Sequence, residues 1–158
     1  MLESATLRTR MNTFSPLEGM GTALEKTKSE LHAIFDFAVS GGAVGVDLIK
    51  LKDKEGNVAL LPKGAYITQS FVIVETAVTA VGACNLSFGS VAADDILAPT
   101  AKASLGAGVK VDGKQTGLGA TFVGPATVVL GTPITATISD TAILTGRVHL
   151  FLSYVIVP

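Results

Sequence analysis

Hydrophobic and polar residues alternate with a period of two along most of this chain, and most regularly at its end. Val148, Leu150, Leu152, Tyr154 and Ile156 interleave with Arg147, His149, Phe151, Ser153 and Val155, the signature of a strand with one face in a core. Ile134, Ala136 and Ile138 alternate in the same way with Thr135, Thr137 and Ser139. Asp140 to Gly146 is long enough to turn the chain back, so Pro133 to Pro158 is expected to form an antiparallel hairpin. A lone hairpin is marginal in water, so other strands must cover it.

The preceding sequence supplies them. Leu31, Ala33, Phe35, Phe37 and Val39 fall on one face of a first strand and His32, Ile34, Asp36 and Ala38 on the other, until Ser40-Gly41-Gly42 breaks it. Val44 to Leu51 reads as a second strand, Lys52 to Asn57 as a charged hairpin tip, and Pro62 to Ala65 as a turn that launches the longest strand, Tyr66 to Val81. Its alternation slips phase near Val74 and Glu75, which predicts a bulge. Cys84 to Gly89 is expected to pair back on that strand, and Ala92 to Ala103, with Pro99 in its middle, to form a helical turn and a loop. Gly108 to Val111, Ala120 to Val123 and Thr127 to Leu130 complete the set of short strands. Many short strands with Gly and Pro turns, and almost no helical period after residue 31, predict an all-β antiparallel β-sandwich. A jelly roll is the commonest way to close that many strands.

Residues 1–30 differ from this body, residues 31–158, and are read as an N-terminal arm. Ser15-Pro16-Leu17-Glu18 is a capping-box pattern that allows a short helix over 16–30, weakened by Gly19 and Gly21. Leu2, Leu7, Met11, Phe14, Leu17 and Met20 are too many large apolar groups for a merely solvated tail, so the arm is expected to order against a partner.

Composition narrows the partners. The net charge of −1 and the isoelectric point near 6.1 give no electrostatic case for nucleic acid or an anionic membrane. Charged residues make up 16% of the chain, against about 25% in an ordinary soluble domain. Either the surface is rich in Thr, Ser and Gly, or part of it is covered by further copies or another protein. Gln115 to Ser139 carries no charge and could span a bilayer by length, but Gly117, Gly119, Gly124, Pro125, Gly131 and Pro133 would break such a helix. The one cysteine, Cys84, can form no internal bridge. Arg8, Arg10, Glu3 and Glu18 interrupt any signal-peptide core, so synthesis in the cytoplasm is expected and Asn85-Leu86-Ser87 matches a glycosylation pattern by letter only.

No catalytic, cofactor or metal site is expected, nor a small-molecule substrate. Gly108-Val109-Lys110-Val111-Asp112-Gly113-Lys114-Gln115 matches a phosphate-binding loop except at its last position, where Gln115 lacks the metal-binding hydroxyl. Asp112-Gly113 reads instead as a tight turn. His32 and His149, the two histidines, lie on separate strands and read as solvent-facing. Asp94 and Asp95 adjoin in one loop, where a calcium site would need further carboxylates.

Three stretches together carry a family resemblance: Phe35-Asp36-Phe37-Ala38-Val39-Ser40-Gly41-Gly42-Ala43-Val44-Gly45, Leu61-Pro62-Lys63-Gly64-Ala65, and Ser90 to Ala103 with Ala93-Asp94-Asp95-Ile96-Leu97. Residues 31–157 resemble the jelly-roll decoration or cement proteins, also called head-fibre proteins, of tailed bacteriophages. The resemblance implies a structural virion protein and not an enzyme. It implies a homotrimer on the capsid exterior that binds the major capsid protein and ties neighbouring capsomers together. Phe151 and Val155, on the less buried face of the last strand, are the expected oligomer-interface residues, and the six apolar residues of the arm the expected capsid contacts. The competing class is a receptor- or glycan-binding jelly-roll module of a virion fibre, working through exposed loops such as Lys52 to Asn57 and Ala92 to Ala103.

Overall fold

The computed structural model describes residues 28–90, 92–114 and 131–156. Ten strands are formed within them: β1 (Lys28–Asp36), β2 (Gly45–Lys50), β3 (Leu60–Leu61), β4 (Ala65–Ala80), β5 (Asn85–Gly89), β6 (Leu97–Ala101), β7 (Lys110–Asp112), β8 (Thr132–Pro133), β9 (Thr135–Ser139) and β10 (Ile143–Ile156). Their pairing follows one rule. β1 pairs with β10, β2 with β9, β3 with β8, β4 with β7 and β5 with β6, every pair antiparallel. The chain is thus a long hairpin folded at its middle and rolled up. Two further antiparallel pairings, β10 with β4 and β9 with β5, close the roll. The result is two four-stranded sheets, ordered β1-β10-β4-β7 and β2-β9-β5-β6, and the small β3-β8 ribbon. This is a jelly roll, an all-β sandwich.

The core lies between the sheets. Ala33 and Phe35 of β1, Ile67, Val72 and Val74 of β4, and Val148, Leu150 and Leu152 of β10 face Ile49, Leu86, Phe88, Ala136 and Ile138 of the other sheet. Phe35 and Phe88 meet across the two layers with ring centroids 6.5 Å apart and planes tilted by 46°, a favoured geometry for buried rings. The alternation of the last strand therefore places Val148, Leu150 and Leu152 inside as expected, while Tyr154 is half-buried and Ile156 exposed. The phase slip in β4 is a bulge: Thr76 is opposite Arg147 and Val74 opposite Val148, which leaves Glu75 without a partner in the ladder.

Several local expectations give way to non-local pairing. β9 and β10 do not form a hairpin but enter different sheets, because alternation fixes which face is buried and not which strand lies alongside. β5 likewise pairs with β6 and β9 rather than back on β4. Leu97 to Ala101, expected as a loop, is the edge strand β6. Its Pro99 falls where the ladder skips from Leu86 opposite Thr100 to Phe88 opposite Leu97, an edge position that needs no N–H donor. A 3-10 turn over Lys102–Ser104 follows it. The first strand stops at Asp36 rather than running on to Val39. The Asp36 carboxylate accepts from the Ala38 N–H at 2.9 Å and caps the helical turn α1, Phe37–Ser40. Asp112-Gly113 is not a turn. The Gly113 N–H donates to the Ser70 carbonyl and the Lys114 N–H to the Ile96 carbonyl, so the chain runs on past β7 beside β4 to the residue that precedes β6. A Cβ at Gly113 would lie 2.0 Å from the Ser70 Oγ, which accounts for glycine.

β1 begins at Lys28, so residues 28–30, within the span 16–30 considered for a helix, are strand. Ala120 to Val123 and Thr127 to Leu130 lie outside the described residues, as does the arm before residue 28. No helix among the described residues is long and apolar enough to cross a membrane.

Truncating the ring that joins the two sheets gives a direct test of this core. Phe35→Ala is expected to lower stability by about 3–5 kcal/mol, read as a fall in the urea midpoint with little change in slope. A loss below about 1 kcal/mol would place Phe35 outside the core.

Candidate functional site

The same alternation that buries one face of β10 turns Arg147, His149, Phe151 and Ser153 outward, onto the outer face of the β1-β10-β4-β7 sheet. The register sets His32 of β1 opposite Phe151, and Phe151 opposite Phe71 of β4. Three rings from three strands therefore stand in one row. Phe71 and Phe151 are stacked with centroids 5.2 Å apart, and Phe151 and His32 with centroids 4.6 Å apart and planes within 4°. The Lys110 ammonium, from β7, lies 4.9 Å from the centroid of the Phe71 ring, within cation–π range. In the next row Ile34 and Ile73 flank His149, and Ile73 is 39% exposed.

A polar chain crosses this patch, from His32 through His149 to Glu75 at its edge. His32 Nε2 lies 2.8 Å from His149 Nδ1, and His149 Nε2 lies 2.6 Å from Glu75 Oε2. The bulge in β4 is what lets Glu75 reach this position. Arg147 Nε lies 3.3 Å from the same carboxylate oxygen and 3.6 Å from Asp36 Oδ2. The hydrogen bond from His149, followed by the nearby charge of Arg147, holds the Glu75 carboxyl below its usual range. His32 is held below the ordinary histidine value, first by burial and then by the charges of His149 and Lys54. Beside the row is an open depression of about 490 Å³, walled by Asp53, Lys54 and Glu55 of the β2–β3 connection.

The expected interface residues can now be placed. Phe151 sits at the centre of the ring row, and Val155 lies farther along β10, opposite Tyr66 and Lys28, half-buried. Leu2, Leu7, Met11, Phe14, Leu17 and Met20 lie outside the described residues. His32 and His149 are not separate solvent-facing groups, since β1 and β10 are neighbours and bring the two rings into contact. Phe71, Glu75 and Arg147 belong to the same surface and carry no local sequence signal for it. The signal that exists is parity: each lies on the outward phase of a strand or at the bulge.

Other chemical candidates resolve into structural roles. Asp95 is buried and ties its loop, accepting from the Ser90 N–H at 2.8 Å and the Ala92 N–H at 3.1 Å, and Asp94 pairs with Lys114 at 3.0 Å. The phosphate-loop look-alike is the strand β7 with the residues on either side of it, and Lys110 pairs with Asp112 at 2.9 Å. Cys84 is buried, and burial pushes its thiol up, away from nucleophilic use. Among the described residues no three His, Cys, Asp or Glu side chains are grouped to hold a metal ion.

A second apolar surface lies on the other sheet. In the edge strand β2 the ladder advances four residues, from Gly45 to Ile49, while β9 advances only two. Val46 and Leu48 project from the irregular stretch, 70% and 57% exposed, with Val44 alongside.

No known protein family matches the chain, and no curated protein matches it. Two solved structures are similar in fold. One is the cyanophage Pam1 capsid asymmetric unit, with a TM-score of 0.53 and 14% sequence identity over 82% of this chain and 85% of that one. The other is the acidic stable capsid structure of Helicobacter pylori bacteriophage KHP30, with a TM-score of 0.51 and 14% identity over 82% and 88%. The jelly roll described above is therefore shared, over most of its length, with chains found in two phage capsids.

Proposed function

We propose that this chain is a structural protein of a phage head, a decoration or cement protein that binds the capsid exterior and stabilises contacts between capsomers. The observation that carries this reading is the outer face of the β1-β10-β4-β7 sheet. Phe71, Phe151, Ile34 and Ile73 form an apolar patch there with ionic groups at its edge, as suits a contact between copies. A protein of this kind must meet its own copies and the shell, and the chain has apolar surface on both sheets. In this reading the ring row, with Val155 beyond it, joins three copies. The shell is then held by the arm through Leu2, Leu7, Met11, Phe14, Leu17 and Met20. Joining copies turns several weak contacts with a repeating lattice into strong attachment. The two similar capsid chains support this reading through their fold.

A glycan platform on this face, as distinct from one on the loops Lys52 to Asn57 and Ala92 to Ala103, meets a physical obstacle. A sugar stacks on the face of an aromatic ring, but Phe71 has Lys110 on one side and Phe151 on the other, and Phe151 lies between Phe71 and His32. The rings use their faces on one another and leave edges outward.

Two experiments test the proposal. Phe151→Asp is expected to cost about 1 kcal/mol in stability yet reduce the sedimentation mass to that of one chain; an unchanged oligomeric mass would remove Phe151 from the interface. The full chain should co-sediment saturably with undecorated phage heads and raise the temperature at which they rupture. A chain beginning at Lys28 should keep its oligomeric mass and lose most of that binding. Equal binding by both would take the arm out of shell attachment.

A further inference from the structure

The contact between His32 and His149 has a proton inventory that the geometry fixes. A carboxylate only accepts hydrogen bonds, so with Glu75 Oε2 at 2.6 Å the Nε2 of His149 carries a hydrogen. Its Nδ1 then faces His32 Nε2 at 2.8 Å, a separation that holds one hydrogen between two nitrogens. Either neutral His32 donates to the lone pair of His149, or protonated His149 donates to the lone pair of His32. One extra proton on the pair is compatible with the contact in either direction. Two are not, because each nitrogen would then point a hydrogen at the other.

We propose that the two histidines form an acid-sensitive latch within the interface between copies: the second proton breaks the His32–His149 contact and loosens the assembly. This rests on the self-interface reading above. The link to the interface is the ring row. His32 lies parallel to Phe151 at 4.6 Å and also stacks with His149 at 5.1 Å, so a turn of His32 away from its partner removes one wall of the apolar row. Charged groups face the pair from every neighbouring element. On the β4 side Glu75 accepts from His149, and Arg147 of β10 lies beside the same carboxylate oxygen. Asp36 of β1 lies near Arg147; Lys54 of the β2–β3 connection opposes charge on His32, and Glu30 of β1 with Asp53 and Glu55 of that connection line the depression beside it. Lys110 is engaged with Phe71 and Asp112.

Stability follows with a definite sign. The lowered value of His32 means that the folded chain binds fewer protons than the unfolded chain below the ordinary histidine value of 6.5. Stability is then lost as the pH falls through 6.5 toward the lowered value. Glu75, also lowered, adds a second loss as the pH falls below 4.5.

The chain has two histidines, so imidazole nitrogen resonances of the full-length protein can be assigned with a single variant, His149→Gln. A titration from about pH 8 to about pH 4 with light scattering at each point is the test. The expected result is two separated steps, the lower one below the ordinary histidine value, with the mass falling in that lower step. His149→Gln should show one step and keep its mass through the pH at which the wild type dissociates. Two rings that titrate independently near their ordinary value would overturn the latch. Two steps with an oligomeric mass that never changes would overturn its link to assembly and leave the interface standing. A single-chain mass at every pH would remove the interface itself.

Discussion

The structure depends on the pairing of β1 with β10. The register runs through nine consecutive partners, from Lys28 opposite Val155 to Asp36 opposite Arg147, and it joins residues more than a hundred positions apart. The other pairs are nested within it, β2 with β9 through β5 with β6, each enclosing a shorter stretch of chain than the one before. β10 then takes β4 on its other side, and that second ladder converts a rolled hairpin into a closed sandwich. Fold and surface share this origin. The side chains of β10 that point inward join the two sheets, and those that point outward line up with His32 and Phe71 into the row that distinguishes the outer face.

That face is where the chain departs from an ordinary jelly roll exterior. A solvated sheet face carries polar residues on its outward phase, whereas here two phenylalanines, two isoleucines and two histidines occupy its middle, with charged groups around them. The bulge at Glu75 has a part in this beyond bending β4. It sets a carboxylate against His149 and Arg147, two residues apart on β10, and so neutralises the rim of an apolar surface. Low overall charge, noted in the composition, is consistent with a protein that covers part of itself.

Much of the architecture was legible in the sequence because it depends on local parity. The alternation in Val148, Leu150 and Leu152 fixed their burial, and the phase slip after Ile73 located the bulge. The sandwich class followed from the number of short strands. What parity does not carry is partnership. Ile134 to Ser139 and Val148 to Ile156 look like two arms of a hairpin, yet they enter different sheets, since each is satisfied equally well by any strand of matching period. The histidine contact was hidden for the same reason, as nothing near His32 points to a residue 117 positions away. Phe37 to Val39 continues the apolar alternation of β1, but the Asp36 carboxylate competes with the ladder and turns the backbone into a helix. Pro99 suggested a loop because proline costs a strand one donor, a cost that vanishes at an edge.

Native mass spectrometry of the full-length chain at neutral pH tests the central claim, that the outer face of the β1-β10-β4-β7 sheet is covered by further copies. The account predicts an assembly of three times the 16.1 kDa chain mass. A single-chain mass, unchanged as concentration rises, would contradict it.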